Sequence, residues 1–225
     1  MSGGPGAGTI DGMTSRRWLA PTGLLLLSAV PVVAGAFRVS QLSVGATVTP
    51  DNARFFADPV PVVVHIVTVT VFCVAGAFQF LGRGLRRPRW HRLNGRVLVP
   101  AGLGAALSGL WLTVFYPRPD DVGDLVTAFR LVFGTAMAAA IVLGLIAVRR
   151  RDFARHRAWM IRGYAIGLGA GTQAFTHAAV MAAGSPITTT SKAYAMLAGW
   201  LINVAVAEYV IRRPTFVYRR KVAMR

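Results

Sequence analysis

Residues 60–96 read VPVVVHIVTVTVFCVAGAFQFLGRGLRRPRWHRLNGR. The first part, Val60–Leu81, is apolar apart from a few small polar residues and one histidine, His65. The second places six arginines between Arg83 and Arg96. A helix needs about 20 mostly apolar residues to cross the hydrocarbon of a bilayer. Val60–Leu81 meets that length, and the arginines then stop it at a water–lipid boundary. The stretch therefore reads as a membrane helix followed by a basic hinge.

Further along, residues 149–163 read RRRDFARHRAWMIRG and repeat the design. Each hinge holds a His-Arg pair inside an arginine cluster, just before an apolar run: His91-Arg92 and His156-Arg157. Six runs have spanning length: Trp18–Phe37, Val60–Leu81, Val97–Phe115, Leu125–Val148, Ala158–Ala182 and Ala193–Ile211. The fold class expected is an all-α integral membrane protein, a bundle of six transmembrane helices over residues 18–213. Residues 1–17 read as a Gly-rich disordered tail and 214–225 as a basic tail.

Composition agrees. The chain is 54% hydrophobic and 15% charged, whereas soluble domains carry about 25% charged residues. The net charge of +17 would suggest nucleic acid in a soluble protein. Here the charges fall between apolar runs, so the expected partner is the anionic lipid of the inner leaflet, not nucleic acid. Twenty of the 25 Lys and Arg residues fall on one side of the six runs. Cytoplasmic loops carry the Lys/Arg excess, so both termini are expected in the cytoplasm and the chain in a bacterial inner membrane. SRRWLAPTGLLLLSAVPVVAGAF has the build of a cleavable signal, but its apolar run is long for one, and an uncleaved first helix is the preferred reading. One cysteine, Cys73, excludes an internal disulfide.

Ionisable residues inside membrane helices are functional candidates. By rise per residue, His65 and His177 lie at similar depth, each ~27 Å along its helix from the basic boundary. His91 and His156 lie at that boundary. Gly163, Gly167 and Gly171, with Ala170 and Ala174, form a small-residue stripe, which suits tight packing or the approach of a flat cofactor. No GxxxxGK, GxSxG or HExxH motif is present, and no nucleophile–base pair can be named, so an enzyme is not expected.

The residues HIVTVTVFCVAGAFQF, RRPRWHRLNGRV and RHRAWMIRGYA resemble the predicted bacterial membrane proteins grouped as domain of unknown function 2306. The matching residues include His65, Gln79, His91, Arg92, Gly95, Arg96, His156, Arg157, Trp159, Arg162 and Tyr164, and the likeness covers roughly residues 60–180. It implies a membrane bundle and marks Gln79, Arg92, Arg96, Arg157 and Arg162 as site candidates. The arrangement of histidines is also similar to that of cytochrome b561-like proteins, six-helix bundles that hold two haems between paired histidines. Those proteins place their ligands on four adjacent helices, whereas His156 and His177 share one run here.

Three readings follow. The first is a b-type haem electron carrier with His65 and His177 as outer ligands and His91 and His156 as an inner pair. The second is a non-redox transporter or sensor built on the same polar residues. The absence of paired broken helices weighs against a transporter. The third is a structural or lipid-interacting protein whose His-Arg clusters only seat two helices. A homo-oligomer or a redox partner is a further candidate partner beside membrane lipid.

Overall fold

The computed structural model describes residues 8–80, 88–119, 122–184, 186 and 188–213, with side chains from Trp18 onward except at Pro88. The helices are α1 (Gly8–Ser43), α2 (Ala53–Ala57), α3 (Pro59–Ala77), α4 (Pro88–Phe115), α5 (Asp124–Arg149), α6 (Phe153–Gly167), α7 (Gly169–Ala182) and α8 (Thr189–Arg212). A 3-10 turn, Phe78–Phe80, extends α3. Among the described residues there is no strand.

Five helices are long and apolar enough to cross a membrane: α1 from Trp18, α3 with its 3-10 turn, α4, α5 and α8. The run expected to span from Ala158 to Ala182 differs. It is divided between α6 and α7, of 15 and 14 residues, each short of the ~20 that a crossing needs. The all-helical architecture holds among the described residues, with five helices of spanning length, and the sixth run expected to span is broken at Leu168. Helix α1 starts at Gly8, inside the segment expected as a tail. Residues 1–7, Arg83, Arg86, Arg87 and the basic tail 214–225 lie outside the described residues.

The break has a local cause. Gly163, Gly167, Gly169 and Gly171 surround it, and each costs a helix about 1 kcal/mol relative to alanine. Their use is close approach. A Cβ on Gly169 would fall 2.3 Å from Trp200 Nε1, and one on Gly171 would fall 2.1 Å from the Leu27 carbonyl oxygen. At Gly169 and Gly171 the stripe is thus filled by neighbouring helices.

Carbonyls at the end of α6 lose helical partners there. Asn203 Nδ2 of α8 donates to Ala165 O at 3.0 Å, and Cys73 Sγ of α3 lies 3.7 Å from Gly167 O as its donor. Such side-chain partners are what lets a helix break inside a membrane.

Around the bundle α3 packs on α4, α4 on α5, and α5 on α6, while α1 closes against α3 and α7. Helix α8 packs against α5, α6 and α7. The core gathers Phe72, Cys73, Leu98, Ala105, Ile141 and Tyr164, drawn from α3, α4, α5 and α6. Polar ties fix the register: Asn94 Nδ2 donates to Ala75 O at 2.8 Å, and Tyr164 Oη donates to Cys73 O at 2.7 Å. Pro100 lies within α4 without ending it.

Candidate functional site

The ends of α3 and α5 and the beginnings of α4 and α6 meet at the basic end of the bundle. They enclose a cavity of about 890 Å³. Ligand sites for small molecules run from roughly 300 to 1,000 Å³. Its walls are mostly apolar, with Phe72, Leu98, Val99, Leu145, Met160 and Ile161 among them. The two hinges supply its polar rim. His91, Arg92 and Arg96 come from α4, Arg149 from α5, and His156 and Arg157 from α6. Gln79 reaches in from the 3-10 turn after α3, and its Nε2 donates to His91 O at 3.4 Å.

The rim charge has no acidic counterpart among the described residues: no carboxylate there pairs with Arg92, Arg96, Arg149 or Arg157. The acids at this end are engaged elsewhere. Asp152 caps α6 by accepting from Arg155 N at 3.0 Å. Glu208 accepts from Arg162 Nε and Nη2 at 2.6 and 3.1 Å, and lies 3.6 Å from Arg212. Arg157 Nη2 donates to Val210 O at 3.3 Å, a bond that leaves its charge unneutralised.

His156 is held by a backbone carbonyl. Its Nδ1 lies 2.9 Å from Gly144 O. A carbonyl only accepts, so Nδ1 carries a proton and Nε2 is left to face the cavity. On α4, Gly95 lines the same cavity, and a Cβ built there meets nothing within 4 Å. That position faces open space, unlike Gly102 and Gly109, whose built Cβ atoms fall 2.6 Å from Phe72 and 3.1 Å from His65.

The structure therefore gathers His91, His156, Gln79, Arg92, Arg96 and Arg157 in one place. It sets Arg162 apart. That guanidinium clamps α6 to α8 through Glu208 and lies 4.8 Å from the centre of the Trp159 ring. Arg212, one turn after Glu208 on α8, is the more distant of its two arginines.

The proposed outer histidine pair is not assembled. His65 lines a second cavity, of about 410 Å³, at the opposite end, with Nδ1 3.1 Å from Ala105 O and 3.0 Å from Ser108 Oγ. His177 is not among the residues lining it; its Nδ1 donates to Gln173 O of its own helix at 2.7 Å. Helix α7 packs mainly on α8 and α1 and sends Ala170 and Gln173, rather than His177, to the cavity that His65 lines. Among the described residues no three His, Cys, Asp or Glu side chains are gathered closely enough to hold a metal ion.

Sequence reasoning passed over Arg149 as a site residue, although it opens the second arginine cluster. It also passed over Phe72, one apolar residue in an apolar run, and the open space at Gly95.

The chain matches the family described as Predicted membrane protein (DUF2306) over residues 62–211. It belongs to that family. The match takes in both hinges, all four cavity arginines and all four histidines. No curated protein and no solved structure matches the chain.

Proposed function

We propose that this DUF2306 membrane protein holds an amphipathic anion in the cavity at its basic end, with the apolar body inside and a phosphate or carboxylate at the arginine rim. The observation that carries the reading is the pairing of an apolar cavity of about 890 Å³ with four arginines that no described carboxylate neutralises. Arginine suits the task, since its planar fork matches phosphate and carboxylate in a bidentate way. The arginine excess favours a cytoplasmic position for this end, level with lipid headgroups. His156 Nε2 and Gln79 add polar contacts that orient the head.

The test is native mass spectrometry of the protein released from mild detergent. A retained molecule with an acidic head and an apolar body, lost from the Arg96→Gln variant, is the expected result. A protein that emerges free of any such molecule and takes up none from added lysophosphatidate would end the reading.

Haem is a special case of the same chemistry, a flat apolar body with two carboxylates. The electron-carrier reading then moves from His65 and His177 to His91 and His156, which share the cavity with the arginines. A reduced-minus-oxidised absorption spectrum separates the two cases, because only haem gives an α-band that disappears in His156→Ala.

A further inference from the structure

The two cavities approach each other from opposite ends of the bundle, and one side chain, Phe72, lines both. It is 1% exposed. Its ring is gripped between α4 and α6. A Cβ on Gly102 would fall 2.6 Å from Cε2, and one on Gly167 would fall 2.8 Å from Cε1. Only glycine at both positions leaves room for the ring where it stands. Tyr164 lies beside it, with ring centroids 5.6 Å apart. Gly167 is the last residue of α6, at the break before α7.

We propose that the two cavities are halves of one path across the bundle, that Phe72 is the barrier between them, and that the protein moves its amphipathic anion from one end to the other. The proposal rests on the binding reading above for the identity of the cargo.

Three observations carry it. First, both ends are dressed for an anion. The far cavity is lined by Arg54, Arg118 and Arg130, with His65 and Gln173 deeper in. Arg118 is paired with Asp124 at 2.5 Å, so this mouth is less positive than the other. Second, the cavities meet at a shared wall. Phe72 borders both, within a core layer that also holds Ile141 and Tyr164, so a rotamer change of Phe72 with a shift of those neighbours would be needed to join them. Third, the ring leans on the end of a broken helix. The backbone ladder is interrupted at Leu168, and discontinuous helices are where transporters place their substrate sites. A bend at Leu168 would displace Tyr164, one turn back on α6, and loosen the packing around Phe72.

The test uses the full chain in phosphatidylcholine vesicles loaded with tritiated lysophosphatidate in both leaflets. Fatty-acid-free albumin added outside removes the probe from the outer leaflet only. Vesicles holding the wild-type protein should surrender nearly all of the probe within minutes, and protein-free vesicles about half. Phe72→Leu, which thins the barrier, should speed release at least fivefold. Ala170→Phe projects a ring into the far cavity; it should slow release at least tenfold while leaving binding at the basic end intact. Should Phe72→Leu fail to fold, Ala170→Phe still decides. Wild-type vesicles that bind the probe yet release only the outer share would overturn the path and leave the binding site standing. Unchanged release in Ala170→Phe would also overturn the path. A wild-type protein that neither binds nor moves the probe would overturn both.

Discussion

His91 and His156 line one cavity, each from the first turns of its own helix and each followed by an arginine that lines the same cavity. The doubled His-Arg hinge is thereby a single polar rim built from two halves. Its chemistry is that of two imidazoles among positive charges, and a molecule with an anionic head and an apolar body satisfies both the rim and the apolar walls.

Removing one rim charge should weaken binding without unfolding the bundle. Arg96 is exposed and has no acidic partner among the described residues. Arg96→Gln should raise the Kd for lysophosphatidate about tenfold, since a charged hydrogen bond contributes roughly 1.5–3 kcal/mol and each 1.4 kcal/mol is a factor of ten. Titration of wild type and variant at low and high salt measures it, and the gap between them should narrow as salt rises. Equal affinities at low salt would remove Arg96 from the site.

The Arg162–Glu208 pair should contribute to stability and not to affinity. It joins α6 to α8 through two bonds of 2.6 and 3.1 Å. Glu208→Gln weakens a doubly charged contact to a singly charged one and strands part of the Arg162 charge. A loss of about 1.5–3 kcal/mol is expected, read as a lower Tm in detergent, with the Kd for lysophosphatidate unchanged. A variant of normal Tm and poor affinity would place Arg162 in the site after all.

The helix break depends on its polar neighbours. Asn203 donates to Ala165 O at 3.0 Å and accepts from Thr172 Oγ1 at 2.7 Å. Asn203→Leu leaves that carbonyl and that hydroxyl without these partners, at a cost of about 1–3 kcal/mol. The loss should appear as faster hydrogen exchange around Leu168, ahead of global unfolding. Uniform exchange along α6 and α7 in the variant would show that Asn203 does not hold the break.

The histidines should sort by cavity. His156→Ala should weaken binding at the basic end, and His177→Ala should leave it unchanged, since His177 bonds to its own helix and lines neither cavity. A haem α-band lost in both His65→Ala and His177→Ala would contradict this separation.

Much of the architecture was legible in the sequence because length and hydropathy are one-dimensional signals. The apolar runs located five helices of spanning length, and the arginine clusters located the ends that form the rim. The break at Leu168 was not read, although Gly167-Leu168-Gly169-Ala170-Gly171 carried the signal, because an apolar run of glycine, alanine and leucine looks unbroken to hydropathy. For the outer histidines the chain carried a weaker signal. Rise per residue gives depth but no contacts, and only packing shows that Gln173, one turn before His177, is the α7 side chain lining the His65 cavity. Phe72 had no signal at all, since its role comes from the two glycines that grip it.

The most direct test is scintillation-proximity binding in neutral-lipid nanodiscs. It compares tritiated lysophosphatidate with monoacylglycerol of the same chain and with glycerol 3-phosphate, on wild type and on Gly95→Leu. The leucine enters open space in the cavity and improves helix propensity by about 0.8 kcal/mol, so it blocks the site without disturbing the fold. Saturable binding of lysophosphatidate to wild type, at least tenfold weaker binding of either half-molecule, and loss of binding in Gly95→Leu are the predicted results. Binding that is equal in the two proteins, or equal for lysophosphatidate and monoacylglycerol, would contradict the account.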